Sequence, residues 1–148
     1  MIEETFSVNI RRKPEDVFRI LTDFEHYLAR WAKGPVAARK LTTGDGVGTR
    51  FTVVARVGPL RATSPYEVKI WEPPAEFGGS GVAGPVAFDE QYSLAAAGDG
   101  DADTNLCQRI VARPRGPFRL VEGVVRRQLR QLIAADLERF RVLVEAEA

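Results

Sequence analysis

A carboxylate, a phenol and a carboxamide stand where alternation places them on one side of a sheet. Phe88, Glu90, Tyr92 and Leu94 recur at every second residue, and residues so spaced share one face of a strand. The same count groups Leu106, Gln108 and Ile110 on a later strand. Glu90, Tyr92 and Gln108 are then polar groups among apolar neighbours. A carboxylate on such a face is costly to bury unless it is paired or protonated. Desolvation raises its pKa toward the range used in general acid and base chemistry, which aldol-type ring closure and dehydration both require. Other readings stay open from the residues alone. Glu90 pairs with Arg109 or Arg61 at the sheet rim, or a bulge turns it outward. Gln108 orients a ligand carbonyl or satisfies a backbone group. Tyr66 and Tyr92 donate to an enolate oxygen or are core aromatics.

Few other side chains invite chemistry. The single cysteine, Cys107, alternates away from that face, with no second base to activate it. His26, the only histidine, reads as a surface residue, and one cysteine with one histidine leaves little for a metal site, so no metal or cofactor is expected. Asp136 reads as a solvent position flanking an apolar stripe. Formal net charge is +1, so the footprint of a nucleic-acid binder is weak, and the cluster Arg113, Arg115, Arg119, Arg126, Arg127 and Arg130 reads as a solvated helix face. Hydrophobic content of 45% and charged content of 28% are ordinary for a globular domain. No apolar run is long enough to span a membrane, and the acid-bearing start MIEETFSVNIRRK is no signal peptide. A cytoplasmic location is expected. Arginine outnumbers lysine 17 to 4, a bias of GC-rich coding sequence that suggests a bacterial source.

The elements that must position these groups follow from periodicity. Phe6, Val8 and Ile10 alternate with polar residues and predict a first strand. Pro14, followed by Glu15 and Asp16, opens a helix with Val17, Phe18, Ile20 and Leu21 on its apolar face. A second short helix runs from Phe24 to about Trp31 and stops before Gly34-Pro35. Strands are then expected at about 36–43, 48–57, 60–72, 75–82, 86–96 and 104–113. The turn signals between them include Gly58-Pro59, Pro73-Pro74, Gly84-Pro85 and Gly98 to Asp101, the last within a flexible hairpin loop over 95–103, so neighbouring strands run antiparallel. Alternation puts Phe51, Val53, Ala55 and Val57 inward, and likewise Tyr66, Val68 and Ile70. Gly78, Gly79 and Gly81 predict a bulge or sharp curvature. From Pro117 to the end, apolar residues at spacings of three and four, among them Val121, Val125, Leu129, Ile133, Leu137, Phe140 and Val144, predict one amphipathic helix. It would be roughly 40 Å long, enough to cross a sheet of about six strands. One domain over 1–148 is expected.

In this order, several motifs carry a resemblance to a known family. They are Arg12 to Leu21 (RKPEDVFRIL), the stretch from Asp23 ending at Trp31, Gly46 to Phe51 (GVGTRF), Tyr66-Glu67-Val68 leading to Trp71-Glu72-Pro73-Pro74, Phe88 with Tyr92 and Leu94, and Arg115-Gly116-Pro117-Phe118. The chain resembles the START-like, or SRPBCC, superfamily in its polyketide cyclase/dehydrase branch. The resemblance implies an α+β helix-grip fold of order β-α-α-β6-α, in which a curved antiparallel sheet wraps a long C-terminal helix and encloses a cavity. It also implies a hydrophobic, polyketide-like or lipid-like small molecule as partner, with the protein monomeric or homodimeric.

With that cavity in mind, Trp31, Phe51, Val53, Tyr66, Val68, Phe88, Leu106, Val121, Val125 and Leu129 are the candidate lining residues. Trp31 is either a core plug or part of the mouth. Glu90, Tyr92 and Gln108 are the candidate catalytic groups. Three functions compete: a cyclase or dehydratase, a non-catalytic carrier or sensor of a hydrophobic metabolite, and an interaction module whose cavity is filled by its own side chains.

Overall fold

Two small helices interrupt the chain after its first strand and pack against the inner face of the sheet that follows. The computed structural model describes residues 1–57, 59–98 and 102–147. The turns expected at Gly58-Pro59 and Gly98 to Asp101 lie partly outside these residues, as does the side chain of Val57. Strand β1 (Ile2–Ile10) leads into α1 (Pro14–Thr22) and α2 (Phe24–Trp31). Pro14 takes the first turn of α1, and the helix buries Val17, Phe18, Ile20 and Leu21. Asp23 caps α2 by accepting from the His26 backbone N–H, leaving the His26 side chain exposed. Six further strands follow: β2 (Pro35–Lys40), β3 (Arg50–Val57), β4 (Leu60–Glu72), β5 (Glu76–Ala83), β6 (Val86–Ala96) and β7 (Thr104–Pro114).

All seven strands form one antiparallel sheet in the order β1-β7-β6-β5-β4-β3-β2. Six are a simple meander, while β1 closes onto β7 with Ile2 opposite Ala112 and Ile10 opposite Thr104. The alternation expected for β6 and β7 holds through the whole ladder, so Glu90 faces Ile110 and Tyr92 faces Gln108 across the pair.

Two local expectations need correction. The irregularity lies on β4, where Val68 pairs with Gly79 but Ile70 with Gly78, leaving Lys69 as an extra residue. That insertion reverses the parity of the strand. Ile70 therefore faces outward, and Trp71 turns in against Phe18 at 5.2 Å and Phe77 at 5.9 Å between ring centres. The terminal helix also does not start at Pro117. Gly116–Val121 is a tighter 3-10 turn, and the α-helix proper, α3, runs over Glu122–Glu147.

The core between sheet and helices is a mix of aliphatic and aromatic side chains, the aromatic rings forming one packed cluster. Phe24 at the start of α2 packs on Phe51, Tyr66 and Phe77 at 4.9, 5.0 and 5.8 Å. Helix α3 contributes Ile133, Leu137, Phe140, Leu143 and Val144, none from its first three turns. Its outer side agrees with the solvated face expected from sequence. Asp136 does not: its side chain is only 15% exposed and accepts from the Lys33 backbone N–H at 3.1 Å and from Arg139, whose Nε reaches the Trp31 carbonyl at 3.0 Å. Asp136 thus fastens the end of α2 to α3. Replacing it with alanine removes the charged acceptor of the Lys33 amide and of Arg139, and a loss of about 1 kcal/mol in urea unfolding is expected. An unchanged midpoint would show the clamp to be dispensable.

No helix among the described residues is long and apolar enough to cross a membrane.

Candidate functional site

Four side chains from three strands meet on the concave face of the sheet. The Glu90 carboxylate on β6 accepts from the Tyr66 hydroxyl at 2.8 Å through Oε1. Its Oε2 accepts from the Tyr92 hydroxyl at 3.3 Å and from Gln108 Nε2 at 3.2 Å. Tyr66, Tyr92 and Gln108 are each 5% exposed or less. Glu90 itself is partly buried, its carboxylate held by these three donors.

Tyr66 reaches Glu90 by crossing a strand. Its residue sits on β4, Glu90 on β6, and β5 runs between them with Gly81 opposite Tyr66 and Gly79 opposite Glu90. A Cβ at Gly79 would lie 2.6 Å from two Tyr66 ring carbons, and one at Gly81 would lie 3.0 Å from the ring. The ring fills the space that side chains on β5 would otherwise occupy. Read as a bulge signal, these glycines do not disclose the contact. A glycine pair on a strand flanked by a tyrosine and an acid was the available signal.

No cation among the described residues balances Glu90. Arg109, one of its two candidate partners, lies on the opposite face and pairs with Glu3 at 2.6 Å, while Arg61 is exposed at the start of β4. Burial pushes the Glu90 carboxyl up from its ordinary 4.5 to about 7, against the three hydrogen bonds that favour its ionised form. Burial, and then the Glu90 charge, hold both phenols well above their ordinary value. Near neutral pH the cluster therefore holds a carboxyl poised between its two states, ringed by donors that keep their protons.

The other candidate residues divide by burial. Val53 and Phe88 are partly buried and edge the same concave strip, along with Phe6 on β1. Leu129 packs partly against the core, Val125 is half-buried, and Val121 is 45% exposed. Phe51, Val68 and Leu106 are fully packed within the core. Trp31 is only 5% exposed and lies edge-on to Phe140 at 5.0 Å, as a core plug and not at a rim. Its indole N–H is buried with no hydrogen-bond partner. Two shallow depressions mark the surface. One of about 520 Å³, lined mainly by Arg50, Thr52, Glu67, Lys69 and Ser80, is on the face away from Glu90. The other, of about 360 Å³, is on α3. Among the described residues no group of three acids, histidines or cysteines is arranged to hold a metal ion.

A seven-stranded curved sheet gripping a long terminal helix, behind two short helices, defines the helix-grip architecture of START-like proteins. The closeness is measurable in solved structures. A START superfamily protein from Mycobacterium smegmatis superposes with a TM-score of 0.80 at 12% identity, covering 99% of each chain. The protein TTHA0849 from Thermus thermophilus does so with a TM-score of 0.77 at 18% identity, again over 99% of each chain. The di-domain ARO/CYC BexL from the BE-7585A biosynthetic pathway matches with a TM-score of 0.75 at 14% identity, over 98% of this chain and 47% of that one. No curated protein sequence matches this chain. The chain belongs to the family described as polyketide cyclase / dehydrase and lipid transport, which it matches over residues 1–145.

Proposed function

We propose that this protein binds a hydrophobic, carbonyl-bearing small molecule on the concave face and catalyses its cyclisation or dehydration, with Glu90 as the acid-base group. The observation that carries the reading is the Glu90 carboxyl, hydrogen-bonded by Tyr66, Tyr92 and Gln108 with no cation among the described residues to balance it, and pushed up by burial to about 7. Family membership and the likeness to an aromatase/cyclase fold support it.

The chemistry balances without any other reagent. Ionised Glu90 takes a proton from a carbon flanked by carbonyls, and the enolate oxygen accepts from Tyr92 or Gln108, whose longer bonds to Glu90 are the easier to redirect. The enolate carbon attacks a second carbonyl, and the new alkoxide takes the proton back from Glu90. A second proton removal at the same carbon, with protonation of the departing hydroxyl, then releases one water. Val53, Phe88 and Phe6 supply apolar walls that hold the reacting carbons together.

The test is turnover of a short poly-β-ketone thioester by the parent and by Glu90→Gln and Tyr92→Phe. A fall of about 10²- to 10⁴-fold is expected for Glu90→Gln. In the parent, kcat/KM should rise with pH through about 7, since the ionised form is the base. Conversion by both variants at the parent rate sinks the proposal.

Binding without turnover is the second reading. It asks less of the site, needing only the apolar strip of Val53, Phe88 and Phe6 and the donors around Glu90, with no proton transfer. Saturable binding of a metabolite detected by native mass spectrometry, unconverted by the parent protein, would establish it.

A further inference from the structure

The first half of α3 is held mainly by ion pairs to β1 and the N-terminus, with Val125 and Leu129 only partly buried. Every residue it buries lies between Ile133 and Val144, whereas Phe118, Leu120, Val121 and Val124 are 44%, 88%, 45% and 57% exposed. Interleaved with these are Arg113, Arg115, Arg119, Arg126, Arg127 and Arg130, against a single acid, Glu122, in a chain whose net charge is only +1. The Glu122 carboxylate is taken up by the N-terminal ammonium. Arg113 pairs with Asp89 at 2.8 Å, and Arg126 and Arg130 share Glu4 at 3.8 and 3.9 Å. Arg115, Arg119 and Arg127 have no carboxylate partner among the described residues.

We infer that the stretch from Arg115 to Arg130 docks on an anionic lipid bilayer. Charge complementarity and exposed apolar groups act together here. Arginines alone would suit any polyanion, but a polynucleotide would leave Leu120 and Val124 wet. A bilayer accepts both kinds of side chain: apolar residues sink below the headgroups while guanidinium groups bind lipid phosphates. Gly123, Arg126, Arg127, Arg130 and Gln131 line the depression of about 360 Å³ on α3, an open basic recess that a phosphate headgroup can occupy. The docking stands independently of any chemistry at Glu90.

The experiment is cosedimentation of the full chain with vesicles of phosphatidylglycerol and phosphatidylcholine in equal parts, compared with phosphatidylcholine alone. Binding is expected to the anionic vesicles only and to be released by salt at about 0.5 M. Arg119→Ala and Arg127→Ala should each weaken partitioning about fivefold. Leu120→Asp should weaken it by at least about tenfold. All three positions are exposed, and circular dichroism of each variant verifies that the fold is kept. The inference is overturned by no sedimentation, by equal binding to neutral vesicles, or by binding indifferent to Leu120→Asp. Saturable binding to an acidic protein without vesicle binding also overturns it.

Discussion

The free energy of unfolding should fall by about 3 kcal/mol between pH 4.5 and about pH 8, and the Glu90→Gln variant should lose that slope. The sign follows from the direction of the shift. Folding lifts the Glu90 pKa from 4.5 to about 7, so the folded state holds a proton that the unfolded chain has released. The stabilisation is complete below 4.5 and is lost as the pH rises through about 7. Asp136, also raised by burial, adds a contribution of the same sign beginning at lower pH. Carboxylates lowered by surface partners, such as Glu67 beside Lys69 and Glu138 beside Arg141, act in the opposite sense. They do so only below their ordinary range and are screened by solvent. The windows therefore separate. Glu90→Gln keeps an acceptor for Tyr66, and Gln108 can present its amide oxygen to the new NH₂ group. The variant should consequently be more stable than the parent at about pH 8. Urea titrations of both proteins at several pH values measure this, and parallel curves would mean that Glu90 is solvated.

The second large effect concerns the gap that lets Tyr66 cross β5. Gly79→Ala should cost about 2 to 3 kcal/mol, since the added methyl meets the Glu67 carbonyl at 2.5 Å and the Tyr66 ring at 2.6 Å. The ring can yield only by giving up its bond to Glu90. Two of the three donors then remain, and the Glu90 carboxyl should titrate higher still. Part of the loss belongs to the ring and part to the backbone. Tyr66→Ala in the Gly79→Ala background separates them, with a coupling of about 1 kcal/mol expected. Strictly additive losses would show that the glycine serves the backbone alone.

The course of β6 and β7 was legible because their alternation is unbroken, and parity brought Glu90, Tyr92 and Gln108 to one face with no tertiary information. The union of Tyr66 with Glu90 was not legible. It depends on what β5 lacks, and absent side chains leave no periodic signal. The Lys69 insertion was hidden for a related reason, because Tyr66, Val68 and Ile70 read as one continuous face until pairing with Gly79 and Gly78 breaks the count. Asp136 misled because its partner is a backbone amide just beyond another helix, which composition cannot reveal. The start of α3 misled because Pro117 suits a 3-10 turn as well as an α-helix.

The extra residue in β4 makes one strand serve two masters. Upstream of Lys69, inward positions are even-numbered and deliver Tyr66 to the Glu90 carboxylate; downstream they are odd-numbered and deliver Trp71 to the aromatic plug beneath α1. Lys69 thus insulates the two layers. A chain lacking this one residue would bring only one of Tyr66 and Trp71 to the inner face.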